Sequence, residues 1–254
     1  MKLTDNLKEK TRNLKQSRHI AGRYFYYLCR TGYKCIIFMT SSDYRNTTLS
    51  AIRYRKQYHQ VNHYTEADRY PDLFKICKDY FSGTPDLRIL SFGCSTGDEV
   101  LSISNYMPGA FIVGTDINKW CIRKCRQNIH IKNAVFMHSL SPEFKRTSGF
   151  NAIFCLAVFQ HPANRHDPDN EISANYHFQQ FEDQLRILDE KLIKGGLLFI
   201  ENSDFNFLET ALSARYSVLQ VENNIDTRER PLYNKDNKKV SDITYIPRVF
   251  IKNT

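Results

Sequence analysis

From residue 71 onward the apolar positions alternate between two rhythms. "LRILSF", "AFIVGTD", "AVFMHS" and "FNAIFCLAVF" are short apolar runs, which predict four strands. Between them, residues from Asp98 to about Tyr106 and from Lys119 to about Ile129 fit helices. Phe178, Phe181, Leu185, Leu188 and Leu192 recur at gaps of three and four, the stripe of an amphipathic helix. "KGGLLFIEN" predicts a fifth strand, entered through a two-glycine turn (Gly195, Gly196) that also stops this helix. Phe205, Leu208 and Leu212 mark a further helix, and "YSVLQVE" and "ITYIPRVFI" two closing strands. Strands alternating with helices predict a mostly parallel, seven-stranded sheet covered on both faces. In such sheets the ligand lies beyond the carboxyl ends of the strands.

The first seventy residues differ. They contain no proline, and Leu3, Leu7 and Leu14 keep a rough helical spacing. "RYFYYLCR" and "CIIFM" fit either a helix or a short strand. The expected organisation is a basic helical extension over 1–70, packed on a domain over 71–254. Residues 1–60 hold 13 Lys/Arg against 3 Asp/Glu, so the whole net charge of +9 sits there. Such a patch suits a solvated helical face, RNA, an anionic membrane surface or an acidic partner. Seven cysteines, an odd number with no CxxC pair, fit a reduced cytoplasmic protein without structural zinc. No stretch reaches ~18 uncharged apolar residues, and no transmembrane segment is expected. Asp5 and Glu9 interrupt any secretory-signal pattern.

The chemistry gathers in "SFGCSTGDEV", where the first strand of this domain meets its helix. The loop Gly93-Cys94-Ser95-Thr96-Gly97 lets a ligand approach the backbone closely. A phosphate-binding P-loop needs Lys-Ser/Thr after its last glycine, but Asp98 and Glu99 follow. A dinucleotide fingerprint needs glycines where Ser95 and Asp98 stand. Carboxylates favour a ligand bearing positive charge. Asp116, ending the second strand, can accept both hydroxyls of a ribose. A free diol and a cationic tail without phosphate describe S-adenosylmethionine (SAM). Two local alternatives compete: Thr96 and Glu99 fit a helix capping box, and Asp116 fits a cap for the next helix.

"LSFGCSTGDEV", "IVGTDIN", "FNAIFCLAVFQ" and "LIKGGLLFIEN", in this order and spacing, resemble the motifs of class I SAM-dependent methyltransferases. The loop variant "CSTGDE" is most similar to that of the chemotaxis-receptor glutamate methyltransferases. The resemblance covers about residues 71–254 and implies a Rossmann-like methyltransferase fold. It implies that Gly93, Cys94, Ser95 and Gly97 line the methionine portion of SAM and that Glu99 holds its amino group. Asp116 would take the ribose hydroxyls, with Ile117 against the adenine and Ser139 near its edge. Leu156 and Ala157 would border the cofactor from the fourth strand. The chain departs from the pattern at Ser91, where most of the superfamily is acidic. Leu156-Ala157 stand where the receptor enzymes carry Arg-Asn.

The acceptor side is less defined. The loop after the fourth strand, the segment after the fifth and the N-terminal extension are expected to build its mouth. Gln160, His161 and His166 lie in the first of these, Glu201 and Asn202 in the second. His161 is the candidate general base. The implied reaction is methyl transfer to an oxygen or nitrogen of a small molecule or protein side chain, with the acceptor unidentified. An RNA methyltransferase, or a SAM-binding RNA-associated protein using the basic N-terminal region, is the alternative. No N/D-P-P-Y-type motif follows the fourth strand to favour it. A SAM-binding module without catalysis is a third possibility.

Overall fold

A computed structural model describes residues 19–54, 57, 59–60, 64–161, 164, 176–222, 231–240 and 246–254. The chain divides into two compact units, Met1–Leu49 and Ser50–Thr254. In the first, "RYFYYLCR" and "CIIFM" belong to one helix, α1 (Ile20–Thr40), rather than to strands. Ser41 ends it, its N–H donating to the Ile37 carbonyl at 2.7 Å. The Ser41 hydroxyl then accepts from the Tyr44 N–H at 3.2 Å, opening α2 (Ser42–Arg53), which runs across the division. Leu3, Leu7 and Leu14 lie outside the described residues.

The second unit holds a seven-stranded sheet. Its strands are β1 (Arg88–Phe92), β2 (Phe111–Asp116), β3 (Ala134–His138), β4 (Phe150–Leu156), β5 (Leu192–Glu201), β6 (Tyr216–Val218) and β7 (Val249–Lys252). The spatial order is β3-β2-β1-β4-β5-β7-β6. The first five strands pair in parallel; β7 runs antiparallel to both β5 and β6. Its helices are α3 (Pro71–Tyr80), α4 (Asp98–Tyr106), α5 (Lys119–Asn128), the short α6 (Pro142–Arg146) and α7 (Phe178–Asp189). The strand order reverses between β1 and β4, so the loops leaving these strands diverge and open a crevice.

Alternation along β4 shows why both faces need cover. Phe150, Ile153 and Cys155 join one apolar core with α6 and α7; Ala152, Phe154 and Leu156 join the other with α3, α4 and α5. From Ala152 to Leu156 this is period two with neither side left to water; Phe150 falls out of phase across the register shift between Phe150 and Ala152. Phe154 stacks on Phe199 of β5 with ring centroids 4.3 Å apart. Phe178, Phe181, Leu185 and Leu188 of α7 are all buried, at about 1.5–3 kcal/mol each. Arg248, just ahead of β7, pairs with Glu201 at the end of β5 (3.2 Å) and with Asp72 in the first turn of α3 (2.6 Å).

Four expectations need correction. Helix α7 stops at Asp189, before any glycine; Gly195 and Gly196 lie within β5, where the register against β4 shifts. Leu192 is therefore the first residue of a strand, buried there. The segment at Phe205, Leu208 and Leu212 forms two short 3-10 turns, Phe207–Glu209 and Ala211–Arg215, because Thr210 breaks the run with extended backbone. Strand β4 ends at Leu156; the Ala157 N–H still donates to the Glu201 carbonyl at 2.8 Å, but Ala157 takes φ +59° and turns the chain out of the sheet. Finally, α4 begins on Gly97 with no side-chain cap, so Thr96 and Glu99 form no capping box.

Candidate active site

The crevice is a cavity above the ends of β1, β2 and β4. Its space is about 1290 Å³ counting the part open to solvent. Three non-glycine residues here hold left-handed backbone: Ser95 after β1, Ala157 after β4 and Asn202 after β5. Such conformations cost about 1–3 kcal/mol each and tend to cluster at functional sites.

The β1 loop is built on the end of β2. The Thr115 carbonyl accepts from both Gly93 N–H (2.7 Å) and Cys94 N–H (2.8 Å). Gly93 has φ +80°, and a Cβ there would sit 2.5 Å from a Val158 methyl. Asp116 closes the arrangement. Its Oδ2 accepts from Ser95 N–H at 3.0 Å and its Oδ1 from Asn118 N–H at 2.7 Å. A carboxylate offers about four acceptor directions, so this anchoring leaves capacity toward the cavity. Asp116 does not cap α5; the Asn118 side chain does, accepting from Trp120 N–H.

Glu99, from the first turn of α4, enters the crevice beside β1. Its Oε1 accepts from the Ser91 hydroxyl at 2.7 Å. The sequence puts serine where an acidic residue is usual, and the carboxyl returns to that point from the helix instead. Burial drives the Glu99 pKa up to about 8, against smaller opposing effects of the Ser91 hydrogen bond and the Arg69 charge. The Arg69 charge opposes the rise without reversing it, and no ion pair to Glu99 forms among the described residues. Among the described residues around the cavity, the charged ones are Glu66, Glu99, Asp116 and Arg69.

Of the residues expected to contact SAM, nine line the cavity together: Gly93, Cys94, Ser95, Glu99, Asp116, Ile117, Ser139, Leu156 and Ala157. Gly97 stands behind them as the N-cap of α4. Gln160 also lines it, its amide donating to the Ala157 carbonyl at 2.9 Å. The candidate base His161 is not on the lining; its backbone N–H donates to Asp204 at 2.7 Å, and burial lowers its ring's pKa. Glu201 is buried against Arg248, and Asn202 donates to the Tyr70 hydroxyl at 2.8 Å, behind the lining. His166 lies outside the described residues.

The remaining wall comes from residues 57–70, which sequence reasoning assigned to the extension without naming any as site residues. His59, Gln60, Tyr64, Arg69 and Tyr70 line the cavity, joined by Gln184 from α7. The division of the chain at Leu49/Ser50, ahead of residue 70, follows from this: Ser50, His59 and Tyr70 are all buried within the second unit.

No family model matches the sequence, and no curated protein does either. Solved structures similar to it include PKMT2 from Rickettsia typhi, with 20% identity over 54% of this chain and 26% of that one, and a TM-score of 0.38. The plantazolicin methyltransferase BpumL, solved with S-adenosylhomocysteine (SAH), is 17% identical over 73% of this chain and 62% of that one, with a TM-score of 0.38. YcgJ from Bacillus subtilis is 14% identical over 73% of this chain and all of that one, with a TM-score of 0.40. The sheet order, with five parallel strands and an antiparallel β7, is a Rossmann-like α/β arrangement. The match spans about a quarter of the PKMT2 chain and under two thirds of BpumL. No helix among the described residues is long and apolar enough to cross a membrane.

Proposed function

We propose that this chain binds SAM in the crevice and transfers its methyl group to an oxygen or nitrogen of an acceptor, either a small molecule or a protein side chain. The observation that carries the reading is the acidic rim: a buried Glu99 carboxyl with no ion pair among the described residues, and an anchored Asp116, in a cavity whose described lining holds one guanidinium. A nucleoside with an ammonium and no phosphate fits that charge balance; ATP or NAD does not.

In this reading SAM supplies a methyl group activated on a cationic sulfur. Glu99 holds the ammonium, with Ser91 fixing the carboxyl's direction. Asp116 receives the ribose hydroxyls on the acceptor directions that Ser95 and Asn118 leave open. Gly93, Cys94 and Ser95 lie along the methionine portion, with Gly97 setting the start of the helix behind them. Ile117 and Ser139 flank the adenine, and Leu156 and Ala157 close the side toward β4. The chain's main contribution to rate is alignment of the acceptor and exclusion of water. The likeness to chemotaxis-receptor enzymes is confined to the loop variant, so the acceptor is not assigned from it.

Thermal unfolding with SAH tests the reading. SAH raises the melting temperature, as any ligand of the native state does, and Asp116→Ala largely removes the rise. An unchanged rise in the variant would discard the ribose assignment; no rise in the wild type would discard the cofactor.

A further inference from the structure

His59 lines the cavity, yet only 5% of its surface is exposed. The Gln184 side chain is the polar group that reaches the ring, and no other hydrogen-bond partner of its nitrogens is among the described residues. Its packing neighbours are the edges of aromatic rings: Phe159 at 5.4 Å and Tyr176 at 5.2 Å between centroids. Leaving a buried polar group unpaired costs about 1–3 kcal/mol, so native proteins seldom do it without a use. Carboxamides also stand on this part of the cavity. Gln160 and Gln60 both point their amide nitrogens at the Ala157 carbonyl, at 2.9 and 3.5 Å, and Gln184 comes from α7. The Ala157 carbonyl thus binds this wall to the strand end expected to border the cofactor.

We propose that His59, with the carboxamides of Gln60, Gln160 and Gln184, forms the acceptor-binding half of the cavity and takes a small uncharged molecule by hydrogen-bonding its hydroxyl or N–H group. The word acceptor rests on the methyl-transfer reading above; the binding site itself does not.

Charge selects the class. Burial lowers the His59 pKa to about 4, against a smaller upward pull from Gln184, so the ring is neutral near pH 7 and offers one donor and one acceptor. Carboxamides likewise offer both without charge. Glu66 already accepts from the Tyr64 hydroxyl at 3.1 Å. Arg69 lies 5.2 Å from the Tyr70 ring centre and acts on Glu99, whose pKa it lowers. An ionic molecule against His59 would give up its hydration without meeting a counter-charge. Among the described lining residues nucleic acid would meet one cation, Arg69, where it needs several phosphate contacts.

The test uses the full chain with its histidine rings labelled with nitrogen-15, saturated with SAH at neutral pH. The His59 resonances are assigned by their loss in His59→Asn. Phenol and benzamide serve as uncharged probes, benzoate and benzylammonium as charged ones of similar size. Phenol and benzamide are expected to shift the His59 resonances saturably, and the charged pair to leave them in place. In His59→Asn, phenol affinity falls at least tenfold while SAH affinity is kept. If that variant does not fold, Gln184→Leu reports the same loss through the His59 resonances. Resonances that respond to none of the probes, or to benzoate as strongly as to phenol, overturn the proposal. SAH binding without phenol binding removes this inference alone; phenol binding without SAH binding removes the methyl-transfer reading and leaves the site supported.

Discussion

The two halves of the cavity are built by different means. The half at β1 and β2 is made of strand ends and the turns leaving them. Its carboxyl groups are held by short backbone and hydroxyl contacts: Asp116 by Ser95 and Asn118, Glu99 by Ser91. The described residues of the other half, 57, 59–60 and 64–70, lie in no helix or strand, and its buried group, His59, is reached by Gln184. The first half is ordered by the sheet itself and is poised to compensate positive charge. Around His59 the second offers carboxamides rather than charge, which suits a partner that supplies hydrogen bonds but no charge. Shared folds use this division repeatedly: a constant rim for the common ligand, and a variable wall for the particular one.

Substitutions in each half separate the two roles. The largest effect is expected for Asp116→Ala, which removes the diol acceptor and two loop anchors together. SAH affinity measured by calorimetry should fall by at least about a hundredfold, near 3 kcal/mol, consistent with hydrogen bonds to a charged group. Asp116→Asn, which keeps the shape and part of the anchoring, should fall less; an equal fall would place the effect in the ribose rather than the loop. Next, Glu99→Gln should weaken SAH by about ten- to fiftyfold, the cost of one charge-assisted contact. Acceptor-side probes should bind this variant normally.

Gly93→Ala is expected to lower stability by about 1–3 kcal/mol, several degrees in melting temperature, through left-handed strain and overlap with Val158. An unchanged melting temperature would show that the loop yields more readily than its contacts imply. The smallest of these effects, and the most specific to the second half, is acid sensitivity. His59 has its folded pKa depressed to about 4 from 6.5, so it contributes stability above pH 6.5 that is lost as pH falls toward 4. The loss is at most about 3 kcal/mol. Glu99 has its folded pKa raised, so its contribution is full at low pH and is lost as pH rises through about 8. His59→Asn should flatten the acid side of the stability profile, and Glu99→Gln the alkaline side.

Much of the first half was legible because strand ends carry their chemistry in short, ordered motifs. "IVGTD" places Asp116 at a strand terminus whatever the tertiary detail, and Gly93 signals close approach of backbone and ligand. The compensation of Ser91 by Glu99 was not legible. It depends on a helix beginning at Gly97, whereas Thr96 offered an equally good local cap. Gly195 and Gly196 suggested a turn because a register shift inside a strand has no distinct local pattern. The second half was nearly opaque. His59 stands between polar residues with no periodicity, and only packing against Phe159 and Tyr176, with Gln184 beside it, makes it buried. His161, beside the fourth-strand motif, looked the better base, yet its loop turns it away from the cavity lining.

The central claim is that Glu99 waits for a cation. Calorimetry of SAH binding at neutral pH, repeated in buffers of different ionisation heat, tests it most directly. The account predicts that binding releases up to one proton near neutrality, that the release disappears well above the Glu99 pKa of about 8, and that Glu99→Gln abolishes it. Proton-neutral binding by the wild type, or tight uptake of ATP with none of SAH, would contradict it.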